Sequence, residues 1–187
     1  MSERHLSRWW GLLVVVLAAA LAGCATSGYV SGAVSTASYR PVPAGSAFVL
    51  GDVERLTLTD QRVRQTIAAE LVTRGLRQEE TPEKAAVIVR YSYSLGAGEP
   101  LVSSVPDFGR HRMRIESVPN YPTYFELRIE GLPPPEKGRA PRILWQGEIY
   151  SEASSSNLGL MAPLFVKDIL QYFDRSVNNQ SFGHALK

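Results

Sequence analysis

The chain has 187 residues, is 44% hydrophobic and 20% charged, and carries a formal net charge of +2 at pH 7. This composition is typical of a globular protein of about one domain, and it excludes the strongly basic surface of a dedicated nucleic-acid binder. A single cysteine, Cys24, excludes an internal disulfide and a cysteine-rich zinc site. We therefore expect neither a nucleic-acid partner nor such a metal site.

The N-terminal segment has the pattern of an export signal. Arg4 and Arg8 precede an apolar run from Gly11 to Gly23, which is the order of charged and apolar regions in a secretory signal peptide. The run is shorter than the about 20 residues that a membrane-spanning helix needs. We interpret residues 1–23 as a signal peptide that is removed on export.

The end of this run resembles the lipobox of bacterial lipoproteins. Leu21-Ala22-Gly23-Cys24 matches that motif at all four positions. The resemblance implies a diacylglycerol thioether on the Cys24 sulfur, cleavage before Cys24 and acylation of the new amino terminus. Two or more acyl chains hold a protein stably on a bilayer. Ala25, where Asp would retain an enteric lipoprotein, implies the outer membrane with the domain facing the periplasm. The alternative is an ordinary signal peptidase site followed by a free cysteine.

Small and polar residues follow the lipobox. Residues 25–44 are rich in Ala, Ser, Gly and Thr and contain few charges. They predict a flexible spacer, which as a coil of this length would span roughly 25 Å. The expected organisation is therefore a signal peptide over 1–23, a lipidated cysteine with a tether over 24–44, and a globular domain over 45–187.

The domain begins with a short predicted strand at residues 46–50, and a helix follows. Apolar residues at a spacing of four define one face of this helix: Val63, Ile67 and Leu71. Thr59 or Asp60 is the expected N-cap, and Gly75 stands where a helix usually ends in the left-handed conformation.

Four later segments alternate apolar and polar residues as strands do. They are residues 85–95, 110–117, 123–132 and 142–153. A second helix is predicted over residues 160–173, with Pro163 in its first turn. The order β-α-β-β-β-β-α predicts an α+β fold of two layers, a mostly antiparallel sheet with both helices packed on one face.

Three stretches resemble a family of small bacterial lipoproteins that share the domain of unknown function 4136. They are "TIAAELVTRGL" in the first helix, "AAVIVRYSY" in the following strand and "ILWQGE" in the last strand. The resemblance covers residues 46–174 and the lipobox. It implies the fold and the location of the protein but no catalytic activity.

Candidates for catalysis are few. Lipidation of Cys24 would remove the thiol, and no Gly-x-Ser-x-Gly turn occurs. His111 lies among arginines and His184 in a polar C-terminal stretch that we expect to be loose, so we interpret both as exposed structural histidines. The pair Glu79-Glu80 lies in a solvated connection. We expect no enzyme, no cofactor and no metal.

Arginines alternate with apolar residues in one predicted strand. Arg110, Arg112 and Arg114 would share one face of it, which suits an anionic envelope ligand such as lipid headgroup phosphates or glycan carboxylates. The alternative is the solvent face of an edge strand, where charges discourage pairing with other chains. Trp145 is expected in the core, and residues 131–141 are expected to be a proline-rich linker.

The sequence thus predicts an outer-membrane lipoprotein with a non-catalytic periplasmic domain that serves as a binding or structural module of the cell envelope. Its expected partners are the membrane, through the lipid on Cys24, and an envelope protein or cell-wall component. Two alternatives stay open: an accessory lipoprotein that binds an amphipathic or anionic ligand for an assembly or transport machine, and an undetected hydrolase. The hydrolase would need a concave site that unites His111 or His184 with a serine and a carboxylate.

Overall fold

The structure, a computed structural model, describes residues 28–52, 56–107, 112–132 and 142–186, and only the backbone of 101–107 and 112–118. Eight strands form one sheet: β1 (Gly28–Ser38), β2 (Ala47–Leu50), β3 (Arg77–Gln78), β4 (Val87–Leu95), β5 (Glu99–Asp107), β6 (Arg112–Gly131), β7 (Ile143–Ala153) and β8 (Val177–Leu186). The helices are α1 (Leu58–Thr73) and α2 (Leu158–Leu170), with a 3-10 turn at Pro82–Lys84.

The strands lie in the order β3-β2-β4-β6-β7-β1-β8, and β5 pairs with β6 away from this path. Pairing is antiparallel except between β2 and its neighbours β3 and β4. Both helices pack against one face of the sheet. The predicted α+β class with a mostly antiparallel sheet is confirmed.

The core lies between the helices and this face of the sheet. The predicted stripe of α1 is fully buried, as is Trp145. Phe165 of α2 packs on Phe125 of β6, with ring centroids 6.2 Å apart. Each such large side chain contributes roughly 1.5–3 kcal/mol when it is removed from water.

The predicted tether is wrong over residues 28–38, because they form β1. This strand lies between β7 and β8, and Val30 and Val34 are fully buried on the helix-covered face. Its small residues permit close packing. A Cβ at Gly32 would lie 2.7 Å from the Cβ of Ser151. Residues 28–38 are therefore part of the folded domain, ahead of the predicted boundary at residue 45.

The expectation of a loose C-terminal stretch is also wrong. Residues 177–186 form β8, which pairs with β1 and makes one edge of the sheet. Phe182 and His184 both point to the helix-covered face, and Phe182 packs on Phe165 at 5.9 Å between ring centroids. The observed order thus has a strand before the predicted first element and another after the last helix.

Helix α1 begins two residues earlier than predicted. Its N-cap is Thr57, not Thr59 or Asp60: the Thr57 hydroxyl accepts a hydrogen bond from the Asp60 amide, and the Asp60 carboxylate accepts one from the Thr57 amide. This reciprocal pair satisfies two amides that the first turn leaves free. The helix ends as predicted before Gly75, which has a φ of +86°.

Pro163 lies inside α2, not in its first turn, because the helix already begins at Leu158. A proline has no amide to donate to the carbonyl four residues earlier, which here belongs to Gly159. Arg62 of α1 donates to that carbonyl at 3.5 Å. The N-terminal turns of the two helices are thereby side by side.

Two segments predicted as separate strands, 110–117 and 123–132, belong to one long strand over residues 112–131. One half of β6 pairs with β4 and β7, whereas residues 112–120 pair with β5 alone. The strands β5 and β6 therefore continue past the end of the sheet as a two-stranded ribbon. Within the described ranges, no helix is long and apolar enough to cross a bilayer.

Candidate functional site

The two faces of the sheet differ in chemistry because successive side chains of a strand point to opposite sides. One face carries the helices and is apolar. Among the residues that the structure describes, no helix covers the other face of β4, β6, β7 and β1. We call this surface the polar face; its residues are Ser35, Arg90, Ser92, Tyr124, Glu126, Arg128, Glu130, Gln146, Glu148, Tyr150 and Glu152.

Glu126 lies at the centre of the polar face and is held by one side chain of its own strand and one from each neighbouring strand. Its carboxylate accepts hydrogen bonds from Arg128 at 2.9 Å, from Gln146 at 2.9 Å and from Ser92 at 3.4 Å. A buried carboxylate needs such partners to offset its loss of hydration. This network fixes the orientation of the polar side chains before any partner binds.

The polar face carries more carboxylates than guanidinium groups. Arg128 is paired with Glu126, and Arg90 with Glu130 at 3.2 Å. The carboxylates of Glu148 and Glu152 have no arginine partner among the described residues. The free charge of this surface is therefore negative, which favours ligands that present cations or hydrogen-bond donors.

Tyr124 and Glu148 are joined by a hydrogen bond near the middle of the polar face. The Tyr124 hydroxyl donates to Glu148 at 3.2 Å. Burial, together with the nearby charges of Glu126 and Glu148, raises the pKa of Tyr124 to about 12. The hydroxyl thus remains a donor at every physiological pH.

A groove of about 440 Å³ opens beside Glu148, where β1 and β8 lose register. Their pairing shifts between Val34 and Thr36. Ser35, Tyr39, Gln146, Glu148 and Asn178 are among the residues that line it. Exposed Tyr39 supplies an aromatic surface, and the other side chains supply donors and acceptors. A volume of this size accommodates a small polar group or a protruding side chain of a partner.

A smaller hollow of about 210 Å³ lies on the other side of Glu126. Asp52, Arg90, Ser92 and Arg128 are among its lining residues. The hydrogen bond from Gln146 to Glu126 connects this hollow to the groove across the strands. The polar face is therefore one continuous surface with two depressions.

His184 is half-buried, and it pairs with a residue that sequence reasoning did not associate with it. Its Nε2 lies 2.7 Å from the Asp168 carboxylate of α2. Burial raises the pKa of Asp168, and the hydrogen bond with His184 opposes this only in part. Among the described residues, no hydroxyl or thiol is hydrogen-bonded to His184, so the pair lacks the nucleophile of a catalytic triad. Its clearest effect is to hold β8 against α2.

The predicted site residues are only partly within the described chain. Cys24, Arg110 and His111 lie outside it. Arg112 and Arg114 lie in β6 at positions opposite Asp107 and Val105 of β5. They are two residues apart on one strand, the spacing of residues on a shared face; the shared face and its ligand stay a prediction.

The polar face was missed at the level of sequence, although a signal for it was present. The alternation that predicts buried Phe125 and Leu127 also places Glu126 and Arg128 together on the opposite side. What the sequence does not show is which strands are neighbours, and therefore that Gln146 meets Glu126. The pair Glu79-Glu80 follows the edge strand β3 and lies away from this network. Over the described ranges, no cluster of three or more metal-ligating side chains occurs.

Comparisons with known proteins support the fold. No family model and no curated protein matches the sequence. A solved PDZ domain protein from Parabacteroides distasonis has a TM-score of 0.54 and 16% identity over 84% of this chain, which spans 39% of that protein. A PelC dodecamer from Paraburkholderia phytofirmans has a TM-score of 0.40 and 15% identity over 74% of this chain and 94% of that one.

A solved protein of the domain of unknown function 4136 family, from Bacteroides thetaiotaomicron, is also similar. Its TM-score is 0.45, with 12% identity over 76% of this chain and 94% of that one. The similarity to the PDZ domain protein supports the overall fold. At these low sequence identities, none of the three similarities shows what this chain does.

Proposed function

We propose that this protein is a lipoprotein of the outer membrane, anchored through acyl chains on Cys24, whose periplasm-facing domain is a non-catalytic binding module of the cell envelope. The anchor rests on the lipobox Leu21-Ala22-Gly23-Cys24 and the location on Ala25. Membership of the domain of unknown function 4136 family belongs to the same proposal and rests on the three sequence stretches that resemble it.

The polar face is the observation that carries the binding role. A sheet needs only one covered face to build a core, and here the second face carries an ordered network centred on Glu126. Two depressions flank that network, and it is bordered by the carboxylates of Glu148 and Glu152, which have no arginine partner among the described residues. The partner that fits is an envelope protein or cell-wall component that presents hydrogen-bond donors and positive charges.

The alternatives receive unequal support. An amphipathic ligand would need an open apolar groove, whereas both depressions described above are bordered by charged and amide side chains. An anionic ligand would bind instead at the ribbon, where Arg112 and Arg114 are placed with Arg110 nearby in sequence. A hydrolase would need a nucleophile beside His184, and the described residues supply none.

A photo-crosslinking amino acid at Tyr150 would test the binding role in living cells. Tyr150 is exposed on the polar face, and Val72 is similarly exposed on the helix side, which makes Val72 a matched control. We expect a discrete crosslinked product from position 150 and none of that size from position 72. Adding Glu148→Lys should weaken the product, because it reverses a charge at the centre of the face. Equal products from positions 150 and 72 would contradict the assignment.

The anchor is tested separately by fractionation. We expect the wild-type protein in the outer-membrane fraction and Cys24→Ser in unprocessed form, without incorporated palmitate. A Cys24→Ser chain that is cleaved and still labelled by palmitate would contradict lipidation at this residue.

A further inference from the structure

The end of the domain that faces the lipid anchor carries an unusual number of exposed apolar side chains. Seven large apolar side chains are exposed among the described residues, and four of them lie at this one end. They are Tyr29, Leu56, Leu58 and Leu160, with exposed fractions of 54%, 54%, 78% and 42%. We call this group the apolar end.

Hydrogen bonds and pairing place these four residues at one end of the sheet. Tyr29, the second residue of β1, donates its amide to the Ser154 hydroxyl at 2.9 Å and accepts at its carbonyl from the Ser154 amide, in the loop before α2. Its ring lies over Gly183 on the sheet face opposite the helices. The start of α2 lies beside the start of α1, since Arg62 donates to the carbonyl of Gly159. The start of α1 is in turn held to the end of β4 through Asp60.

The distance from the anchor to this end is short. β1 begins at Gly28, four residues after Cys24. Four residues span at most about 14 Å when fully extended. The first residue of β1 is already paired, with Leu186 of β8, so the rigid domain starts within that distance of the acylated residue.

We infer that the apolar end is a membrane-contact surface, which inserts Leu56, Leu58 and Leu160 into the interfacial region of the bilayer next to the anchor. This inference rests on the proposed lipid on Cys24. Leucines on a surface held this near a bilayer bury their side chains there without reorganising the fold.

The ribbon supports the same orientation. Tyr121 of β6 lies opposite Ala153, and Ala153 lies opposite Val30 near the start of β1. Residues 112–120 continue from there, paired with β5, over about 30 Å. This length exceeds the reach of the segment between Cys24 and Gly28, so in the anchored protein the sheet is tilted and the ribbon lies along the bilayer surface.

The membrane contact fixes how the polar face is presented. The helices and their exposed leucines lie on the opposite side of the sheet, so the polar face points away from the bilayer and remains open to the periplasm. The domain is thus held in one orientation, and does not swing on a tether.

Site-directed labelling tests this inference with the full mature protein. The sequence contains one cysteine, and its sulfur carries the lipid in the proposed protein, so a cysteine introduced elsewhere can be spin-labelled uniquely. Leu58→Cys and Leu160→Cys report the apolar end. Val72→Cys reports the opposite end of α1 and is comparably exposed at 51%, about 21 Å away along the helix.

The variants are reconstituted into vesicles of phosphatidylethanolamine and phosphatidylglycerol and floated to confirm anchoring. We expect collisions with a water-soluble nickel complex to be several-fold rarer at positions 58 and 160 than at position 72, and collisions with oxygen to be more frequent. Equal accessibility to nickel at all three positions in floated protein would overturn the inference alone. A chain that does not float and labels at two thiols would overturn the anchor as well.

Discussion

Asp60 connects a helix to the sheet through a single side chain. Its carboxylate accepts hydrogen bonds from the hydroxyls of Tyr91 at 3.1 Å and Tyr93 at 3.0 Å, in addition to those of Thr57. Burial alone would raise the pKa of Asp60, but these hydrogen bonds outweigh it and lower the pKa below its usual value. The charged form is therefore the one that stabilises the fold.

We expect Asp60→Asn to lose about 2 kcal/mol of unfolding free energy at pH 7, since charge-assisted hydrogen bonds contribute more than neutral ones. A folded-state pKa below the unfolded one stabilises the protein above pH 4, and this contribution disappears as pH falls through the folded-state value. Denaturant titrations at pH 7 and pH 2.5 should therefore show the difference between wild type and variant shrinking on acidification. An equal difference at both values would refute the role of the charge.

Gly147 allows α2 to approach β7 closely. A Cβ at this position would lie 2.5 Å from Cγ2 of Ile169 and 2.9 Å from the Trp145 ring. Gly131 of β6 is a matched control, because a Cβ there would meet its neighbours at 3.7 Å or more.

We expect Gly147→Ala to cost about 1–3 kcal/mol, because overpacking displaces the helix, and Gly131→Ala to cost much less. Thermal and denaturant unfolding of both variants would measure this. Similar costs for the two substitutions would show that the helix is not in tight contact at Gly147.

Some single residues were predictable and others were not. The burial of Trp145 and of the stripe at Val63, Ile67 and Leu71 follows from local periodicity, which depends on neighbours in the chain. The contact of His184 with Asp168 depends on β8 lying at the sheet edge beside α2, which no local pattern specifies.

At the scale of secondary structure, β1 is the largest departure from the prediction. Its sequence is rich in small residues, which resembles a spacer in composition. Val30, Gly32 and Val34 lie on the same face of β1, so Gly32 interrupts the apolar alternation that would otherwise indicate a strand. A Cβ at Gly32 would meet the Tyr150 carbonyl oxygen and Ser151 of the neighbouring strand, so close packing against β7 requires the glycine that made this segment resemble a tether.

The strand assignment predicts a specific loss of stability. We expect Val34→Ala to cost about 2 kcal/mol, because it removes buried methyl groups from the core and leaves a cavity. Ser31→Ala, on the opposite side of the same strand, should change stability by less than about 0.5 kcal/mol. If Val34→Ala were as neutral as Ser31→Ala, residues 28–38 would have to be the flexible segment that composition suggests.

The ribbon of β5 and β6 was also only partly predictable. Alternation through Met113 and Ile115 indicates a strand, and that strand exists. Its continuity with residues 121–131 was hidden by Pro119 and Pro122, which usually interrupt strands in a sheet interior. Pairing with β5 on one side only explains how Pro119, opposite Pro100, is accommodated.

At the scale of the whole molecule, the sequence and the structure supply different parts of the account. The lipobox and the apolar run before it are local motifs, read directly from residues 11–24. The polar face and the apolar end are created by topology, since residues distant in the chain meet there. In the function that we propose, the same sheet sets both the end next to the anchor and the surface that binds a partner.

The proposed anchor and the membrane contact depend on the chemical state of Cys24, and mass spectrometry of the N-terminal peptide of the membrane-extracted protein measures that state directly. We expect a mature chain that begins at Cys24 and carries a diacylglycerol thioether and an acylated amino group, with no unmodified form of that peptide. A mature chain that begins at any other residue, or a Cys24 with a free thiol, would contradict it.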